Sequence, residues 1–392
     1  MNTLLDFASP TDLILEIPQP AYDQAWEKSQ IHSNPSTRYQ AYINELCLSG
    51  ILPWLQQDFA PQTKISYNTT ALTSFWELVN GTVITVDATK IILVPHETID
   101  LSELCVPQEW VDIPSLAGDY YIGVQVVPED RCIRVWGYCS HLHIKTLGTY
   151  NPYNRNYSVD ASNINDINIL VLTLSFAVSD NTVNEVTRAA VSTLPALQIK
   201  TAQNLIARLA NPDIIVPRLE IPFQMWGALI EHGGWRRNLY QRRIGQNEQS
   251  VLEWLQNGIT QTAQQLGWNS INLQLNGTSR SIEETASSFS NILARQLTIA
   301  GQSYELRVIP QIHEEYTTWR FELQNARIGG YIPGGFKLRL LTEDLQPFPD
   351  NEDTAITATE QLFVEVALEP GEGIVWEIEP VPENYDQEVL RF

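Results

Sequence analysis

The chain holds 392 residues, with 24 Lys and Arg against 46 Asp and Glu for a net charge of −22, and an excess of that sign repels phosphate backbones and argues against nucleic-acid binding by bulk charge. Only 18% of residues are charged and 43% are hydrophobic, with 11 Trp, 15 Tyr and 11 Phe, so this is not an acidic disordered chain. The length suits two or three domains, each able to bury its own core.

The first twenty residues carry Asp6, Asp12 and Glu16 and no Lys or Arg, which is not the positive start of a secretory signal. No apolar run approaches the roughly 18 residues that span a bilayer. Four cysteines at irregular spacing, Cys47, Cys105, Cys132 and Cys139, give no disulfide framework. The expectation is a soluble, cytoplasmic protein.

A short strand is predicted around Leu13 to Ile17, followed by a helix from Ala21 to Ile31. A second helix follows Pro35, with Tyr39, Ile43, Leu46 and Cys47 at the three- and four-residue spacing of one buried face. Pro53 is expected to kink or end it. From about Ile65 to Ser179 the pattern becomes short β-branched runs. Thr82 to Val86 and Lys90 to Val94 predict a hairpin through Asp87-Ala88-Thr89. Tyr120 to Val127 and Cys132 to Tyr138 predict another through Pro128-Glu129-Asp130-Arg131. Ile167 to Val178 reads as a buried strand.

Helical patterns return over Val183 to Leu209 (broken at Pro195), Phe223 to Ile244 (with a break at Gly233-Gly234), Glu248 to Leu266 and Ile282 to Leu293. The last ninety residues alternate strictly. Tyr304, Leu306 and Val308, then Trp319, Phe321 and Leu323, then Ile374, Trp376 and Ile378 are apolar, with charged or polar residues between them. Period-two alternation over several strands predicts a sheet with one dry and one wet face. Glycine–proline turns at 329–335 and 370–373 fit an antiparallel β-sandwich with an immunoglobulin-like look. The fold class read from the sequence is therefore α+β. Its expected order is an N-terminal helical segment (1–62), a small antiparallel β-barrel or sheet (63–180), a helical middle segment (181–300) and an acidic sandwich (301–392).

Several segments taken in order resemble a known family. They are Arg38-Tyr39-Gln40-Ala41-Tyr42-Ile43-Asn44, Leu52-Pro53-Trp54-Leu55, Tyr121 to Val126, Val135-Trp136-Gly137-Tyr138, Trp254-Leu255-Gln256, and Pro333 to Leu338. Together they are similar to the cyanobacterial family called domain of unknown function eighteen twenty-two, over most of the chain. The resemblance implies a soluble protein and carries over no catalytic residue.

Two constellations have chemical content. Cys139, His141 and His143 lie at i, i+2 and i+4 in what reads as the continuation of a strand. There they would share one face and could seat zinc or copper; the competing reading is an edge strand with incidental histidines. Trp235, Arg236, Arg237, Tyr240, Arg242 and Arg243 form the one concentrated positive site. It could meet an acidic protein surface or phosphate, and the competing reading is a solvated basic helix face. His96-Glu97 and His313-Glu314-Glu315 lack the second histidine of a metalloprotease motif. Glu283-Glu284 fits a helix start. No phosphate loop, dinucleotide fingerprint or nucleophile elbow occurs.

No cofactor is implied, and an enzyme is not the leading expectation. A non-enzymatic protein-interaction or regulatory module leads. The alternatives are an enzyme with a site between the β domain and the helical segment, and a nucleic-acid-linked regulator using the arginine segment. Leu341 to Phe392 hold 14 acidic residues and only Arg391 as a base, whereas Pro217 to Arg243 are net positive. The expected partnership sets the arginine segment against an acidic sandwich, within one chain or between two.

Overall fold

The computed structural model describes residues 9–171, 174, 187–272, 291–312, 317–383 and 385–392. They divide into two compact units. The first is Met1–Leu197, Thr201–His232 and Arg236–Gln246, and the second is Gln198–Lys200, Gly233–Trp235 and Asn247–Phe392. Helices and antiparallel sheets both contribute, so the fold is α+β.

In the first unit the elements run β1 (Leu13–Glu16), α1 (Gln19–Ser29), α2 (Pro35–Asp58), β2 (Lys64–Ile65), α3 (Thr69–Leu78), β3 (Thr82–Val86), β4 (Thr89–His96) and β5 (Glu103–Pro107). They continue with α4 (Glu109–Asp112), β6 (Tyr120–Val127), β7 (Cys132–Ser140), α5 (His141–Leu147), β8 (Thr149–Asn151) and β9 (Asn156–Asp160). Three helices follow, α6 (Ile199–Leu209), α7 (Phe223–Glu231) and α8 (Gly233–Arg243), with Ile199–Lys200 of α6 and Gly233–Trp235 of α8 counted in the second unit.

A six-stranded sheet, ordered β1-β7-β6-β4-β3-β2, is the scaffold. Both expected hairpins are present, the second turning through Arg131 at φ 49°. The β4–β6 pair is parallel, so this sheet is mixed rather than purely antiparallel. The chain between those two strands, which carries β5 and α4, is long enough for a crossover where a hairpin turn would not be.

Helix α2 covers one face of this sheet. Asn34 caps it by accepting from Ser36 and Thr37 N–H, the Asn34 amide donates to Thr37 Oγ1, and Pro35 sits where a missing N–H costs nothing. Ile43, Leu46, Cys47, Ile51 and Leu55 are buried against the sheet. Tyr39, expected on that face, stays 42% exposed. Pro53 lies inside the helix, which runs on to Asp58.

The stretch read as a strand from Ile167 is helical at 167–171 and at 174; the rest of it lies outside the described residues. Asp166 accepts from the Asn168 N–H at 2.8 Å and starts the turn. Ile167, Leu170 and Leu174 all join the core, at helical spacing that the sequence already held. Of the helix expected over Val183 to Leu209, only Ile199–Leu209 forms among the described residues.

The second unit holds α9 (Val251–Asn257) and α10 (Gln261–Gln265), parted at Gly258 with φ 94° where a single helix was expected. Nine strands follow: β10 (Trp268–Asn272), β11 (Asn291–Ile299), β12 (Gln302–Ile312), β13 (Thr317–Asn325), β14 (Lys337–Thr342), β15 (Glu352–Thr354), β16 (Gln361–Ala367), β17 (Gly373–Glu379) and β18 (Val389–Arg391). They make a five-stranded sheet, β10-β11-β12-β13-β16, and a four-stranded sheet, β15-β14-β17-β18. Every pairing in both sheets is antiparallel.

The two sheets share one core containing Leu306, Val308, Trp319, Phe321, Leu340 and Trp376, as the alternation predicted. Sheet structure begins earlier than expected, at Trp268, so the segment 181–300 is not helical throughout. Of the helix expected over Ile282 to Leu293, residues 282–290 lie outside the described residues, as do Glu283-Glu284 and His313-Glu314-Glu315; 291–293 open strand β11.

Candidate functional site

The cysteine–histidine constellation does not assemble. Strand β7 ends at Ser140, whose hydroxyl accepts from the His143 N–H and caps α5. His141 and His143 therefore lie on a helix, and the three side chains do not share a strand face. His141 is fully buried with both ring nitrogens engaged. Nε2 lies 2.9 Å from the Val111 carbonyl, and Nδ1 accepts the Ala189 N–H at 3.1 Å. That pattern fixes a neutral ring with its proton on Nε2. Burial lowers the pKa of His141 and outweighs the bond to Val111. Burial also pushes the Cys139 thiol up to about 12, far from the thiolate a metal needs. Among the described residues, no three His, Cys, Asp or Glu side chains form a metal-binding group.

The arginine segment forms the helix expected of it, but its side chains turn inward. Arg236, Arg237 and Arg243 are buried, as are Trp235 and Tyr240, while Arg242 is exposed. Within the first unit, Arg243 Nε donates to the Glu77 carboxylate at 2.7 Å, and its remaining nitrogens donate to the carbonyls of Leu209, Asn211 and Ile214. Glu77 also accepts from the Ser33 hydroxyl and amide and lies 3.2 Å from His32 Nδ1. Burial raises the Glu77 pKa, but the bonds from His32, Ser33 and Arg243 prevail and hold it below the ordinary carboxylate value.

Arg236 Nε donates to Ser74 Oγ at 3.0 Å, and its guanidinium lies 4.0 Å from the centre of the Phe75 ring. Tyr240 lies over His32, with ring centroids 6.0 Å apart, and burial raises its pKa to about 12. Trp235 falls in the second unit, where its indole donates to Glu343 at 3.1 Å. Buried, hydrogen-bonded guanidinium groups of this kind order a fold, whereas a phosphate site keeps its donors accessible.

Other ionic groups of the first unit are saturated in the same way. Arg218 grips Glu109 through two nitrogens at 2.8 and 2.6 Å, and Trp226 donates to the same carboxylate at 2.8 Å. Lys145, Asp112 and Tyr157 close a triangle of 2.8 Å contacts. These groups serve one another.

The second unit offers a different arrangement. A cleft of about 630 Å³ is lined by Leu252, Trp319, Ala367, Leu368, Pro370 and Phe392, with Thr317, Glu369 and Glu372 completing its wall. That volume lies within the range of ligand sites. Trp319 and Phe392 form its floor, ring centroids 4.5 Å apart and both almost fully buried. The chain turns at Gly371, φ 91°, where its amide donates to the Phe392 carbonyl and the Phe392 amide donates back to Glu372. This turn sets Glu369 and Glu372 beside the apolar floor. Neither carboxylate has a cationic partner among the described residues.

The cleft was not legible in the sequence as a site. Trp319 read as core alternation, and only the acidic excess after Leu341 pointed to this region.

The family described as "Protein of unknown function (DUF1822)" has a model that matches residues 15–391. No curated protein and no solved structure matches the chain. The chain belongs to the DUF1822 family.

Proposed function

We propose that this member of the DUF1822 family is a protein-interaction module, without catalytic chemistry of its own, that receives a partner protein at the apolar cleft of its second unit. The observation that carries the reading is the pairing of an aromatic floor, Trp319 and Phe392, with an acidic wall, Glu369 and Glu372. Aromatic anchors in a desolvated pocket under a polar rim are the usual centre of a protein interface. The buried ionic groups of the first unit support the same reading. Among the described residues they bond one another, Arg243 to Glu77 and both Arg218 and Trp226 to Glu109.

The test places a photo-crosslinking amino acid at Ala367 in the full chain in its native host, with Ile356 as an exposed control 92% accessible. The expected result is a discrete adduct from position 367, absent from position 356 and lost when Leu252→Glu puts a charge on the cleft wall. Equal labelling from both positions would overturn the reading.

A further inference from the structure

Strand β16 is the last strand of the five-stranded sheet and runs directly into the cleft through Ala367 and Leu368. Its hydrogen-bonding parity follows from two contacts. The Ala326 amide donates to the Ser303 carbonyl, so even-numbered residues of β13 face β12 and odd-numbered ones face β16. Phe321 therefore bonds Val364, its register partner. Independently, the Phe363 amide donates away from β13 to the Asp353 carboxylate at 3.0 Å. Both observations turn the N–H and C=O groups of Phe363, Glu365 and Ala367 outward. Asp353 caps the first of these amides. Those of Glu365 and Ala367 have no acceptor among the described residues. An uncapped strand edge is a template for another strand, and here it ends beside an open apolar cleft.

We infer that an extended segment of a partner protein, alternating large apolar residues with Lys or Arg, adds as a strand to the Glu365–Ala367 edge and seats its apolar side chains in the Trp319–Phe392 cleft. Side-chain alternation dictates this chemistry. On the core side of β16, Val364 and Val366 precede Leu368, so every second residue of an added strand points to the cleft floor. On the other side stand Phe363, 41% exposed, and Glu365, which is already paired with Arg320 at 3.3 Å. Glu369 and Glu372 line the cleft itself with no cationic partner among the described residues, so a basic residue where the added strand meets the cleft complements them. The inference rests on the cleft reading above and specifies the occupant.

The probe is a synthetic peptide of eight residues, Lys-Val-Arg-Phe-Lys-Leu-Arg-Val, titrated calorimetrically against the full chain. It is expected to bind with an affinity that weakens as salt rises. A peptide of the same composition with basic and apolar residues in separate blocks, and one N-methylated on alternate amides along the edge-facing side, are each expected to bind at least about tenfold more weakly, since each lost backbone bond contributes about 1 kcal/mol. Ala367→Pro removes an outward amide without touching the ladder to β13. It is expected to match the parent in thermal unfolding while losing the same affinity. The double variant Glu369→Gln/Glu372→Gln should flatten the salt dependence.

If N-methylation and Ala367→Pro leave binding unchanged, strand addition is overturned while the cleft stands. If the alternating peptide fails to bind at millimolar concentration, the inference falls, and the crosslinking experiment at Ala367 judges the cleft reading separately.

Discussion

Glu77 and Arg243 meet at 2.7 Å although they are 166 residues apart and neither side chain is exposed. Such a pair is costly to bury and more costly to break, because the survivor stays charged with no partner. The Arg243→Leu variant is expected to lose about 3–5 kcal/mol, and Glu77→Leu a similar amount. Joining them in one chain should cost much less than the sum, since both charges leave together. Thermal unfolding of the two single variants and the double variant measures the coupling.

Acid sensitivity follows from the same carboxylate. The pKa of Glu77 is held below 4.5 in the folded chain, so the unfolded chain binds its proton first. Its contribution is fully present above the unfolded value and is lost as pH falls through the folded one. A pH series of unfolding midpoints should therefore fall below about pH 4.5, more steeply in the parent than in Glu77→Gln. Equal slopes would show that other carboxylates set the acid limit.

These groups also mark where sequence reading stops. The alternation of Tyr304, Leu306 and Val308 announces a sheet because period two is written along a single strand. The Arg236–Arg243 segment announces a basic helix just as locally, and the helix forms. Its direction is not local: Arg243 is buried because Glu77, Ser33 and three carbonyls from distant segments surround it. Charge counted along the chain cannot distinguish that from a solvated face. The cysteine–histidine strand failed for a nearer reason, since Ser140 could cap a helix and does. The helical spacing of Ile167, Leu170 and Leu174 was readable and lost to the apolar look of the run.

His141 gives a second titration with the opposite chemistry and the same sign. Burial lowers its pKa below 6.5, so the fold favours the neutral ring. Stability is complete above the unfolded value and declines as pH falls from there through the folded one. His141→Gln should flatten the decline below about pH 6.5, while costing stability at pH 8 through the lost bonds to Val111 and Ala189. Because both ring nitrogens are occupied, added zinc is expected to bind below stoichiometry and leave the unfolding midpoint of the parent unchanged. A one-to-one zinc complex that raises the midpoint would contradict the assigned tautomer.

The four thiols are all free, with Cys47, Cys132 and Cys139 buried and Cys105 partly exposed. A disulfide reagent acting on the native chain is expected to modify Cys105 first, although Ser158 Oγ sits 3.3 Å from its sulfur. Cys139, with its thiol held near 12 by burial, should react only on unfolding. Mass mapping after a short exposure checks the order, and early modification of Cys139 would show that the β7–α5 region opens more readily than its packing implies.

The second unit has its own buried ion. Glu388 accepts the Trp376 indole at 2.8 Å and the Trp268 indole at 3.2 Å, and also pairs with Arg295. The Arg295 guanidinium lies 5.1 Å from the centre of the Trp376 ring, so one charge is shared between a carboxylate and an aromatic face. Glu388→Leu removes the acceptor of two indoles and strands the guanidinium. The expected loss is about 3–5 kcal/mol, as for a broken buried pair. Glu388→Gln keeps one acceptor oxygen and should lose less. Arg295→Leu leaves the indole bonds in place but removes a cationic partner of the carboxylate, so it too should destabilise. The double variant Arg295→Leu/Glu388→Leu should recover part of the loss. Denaturant unfolding followed by tryptophan fluorescence separates these outcomes, because Trp268 and Trp376 report the environment of Glu388 directly. If Glu388→Leu matches the parent, the indole and guanidinium contacts make no net contribution to stability.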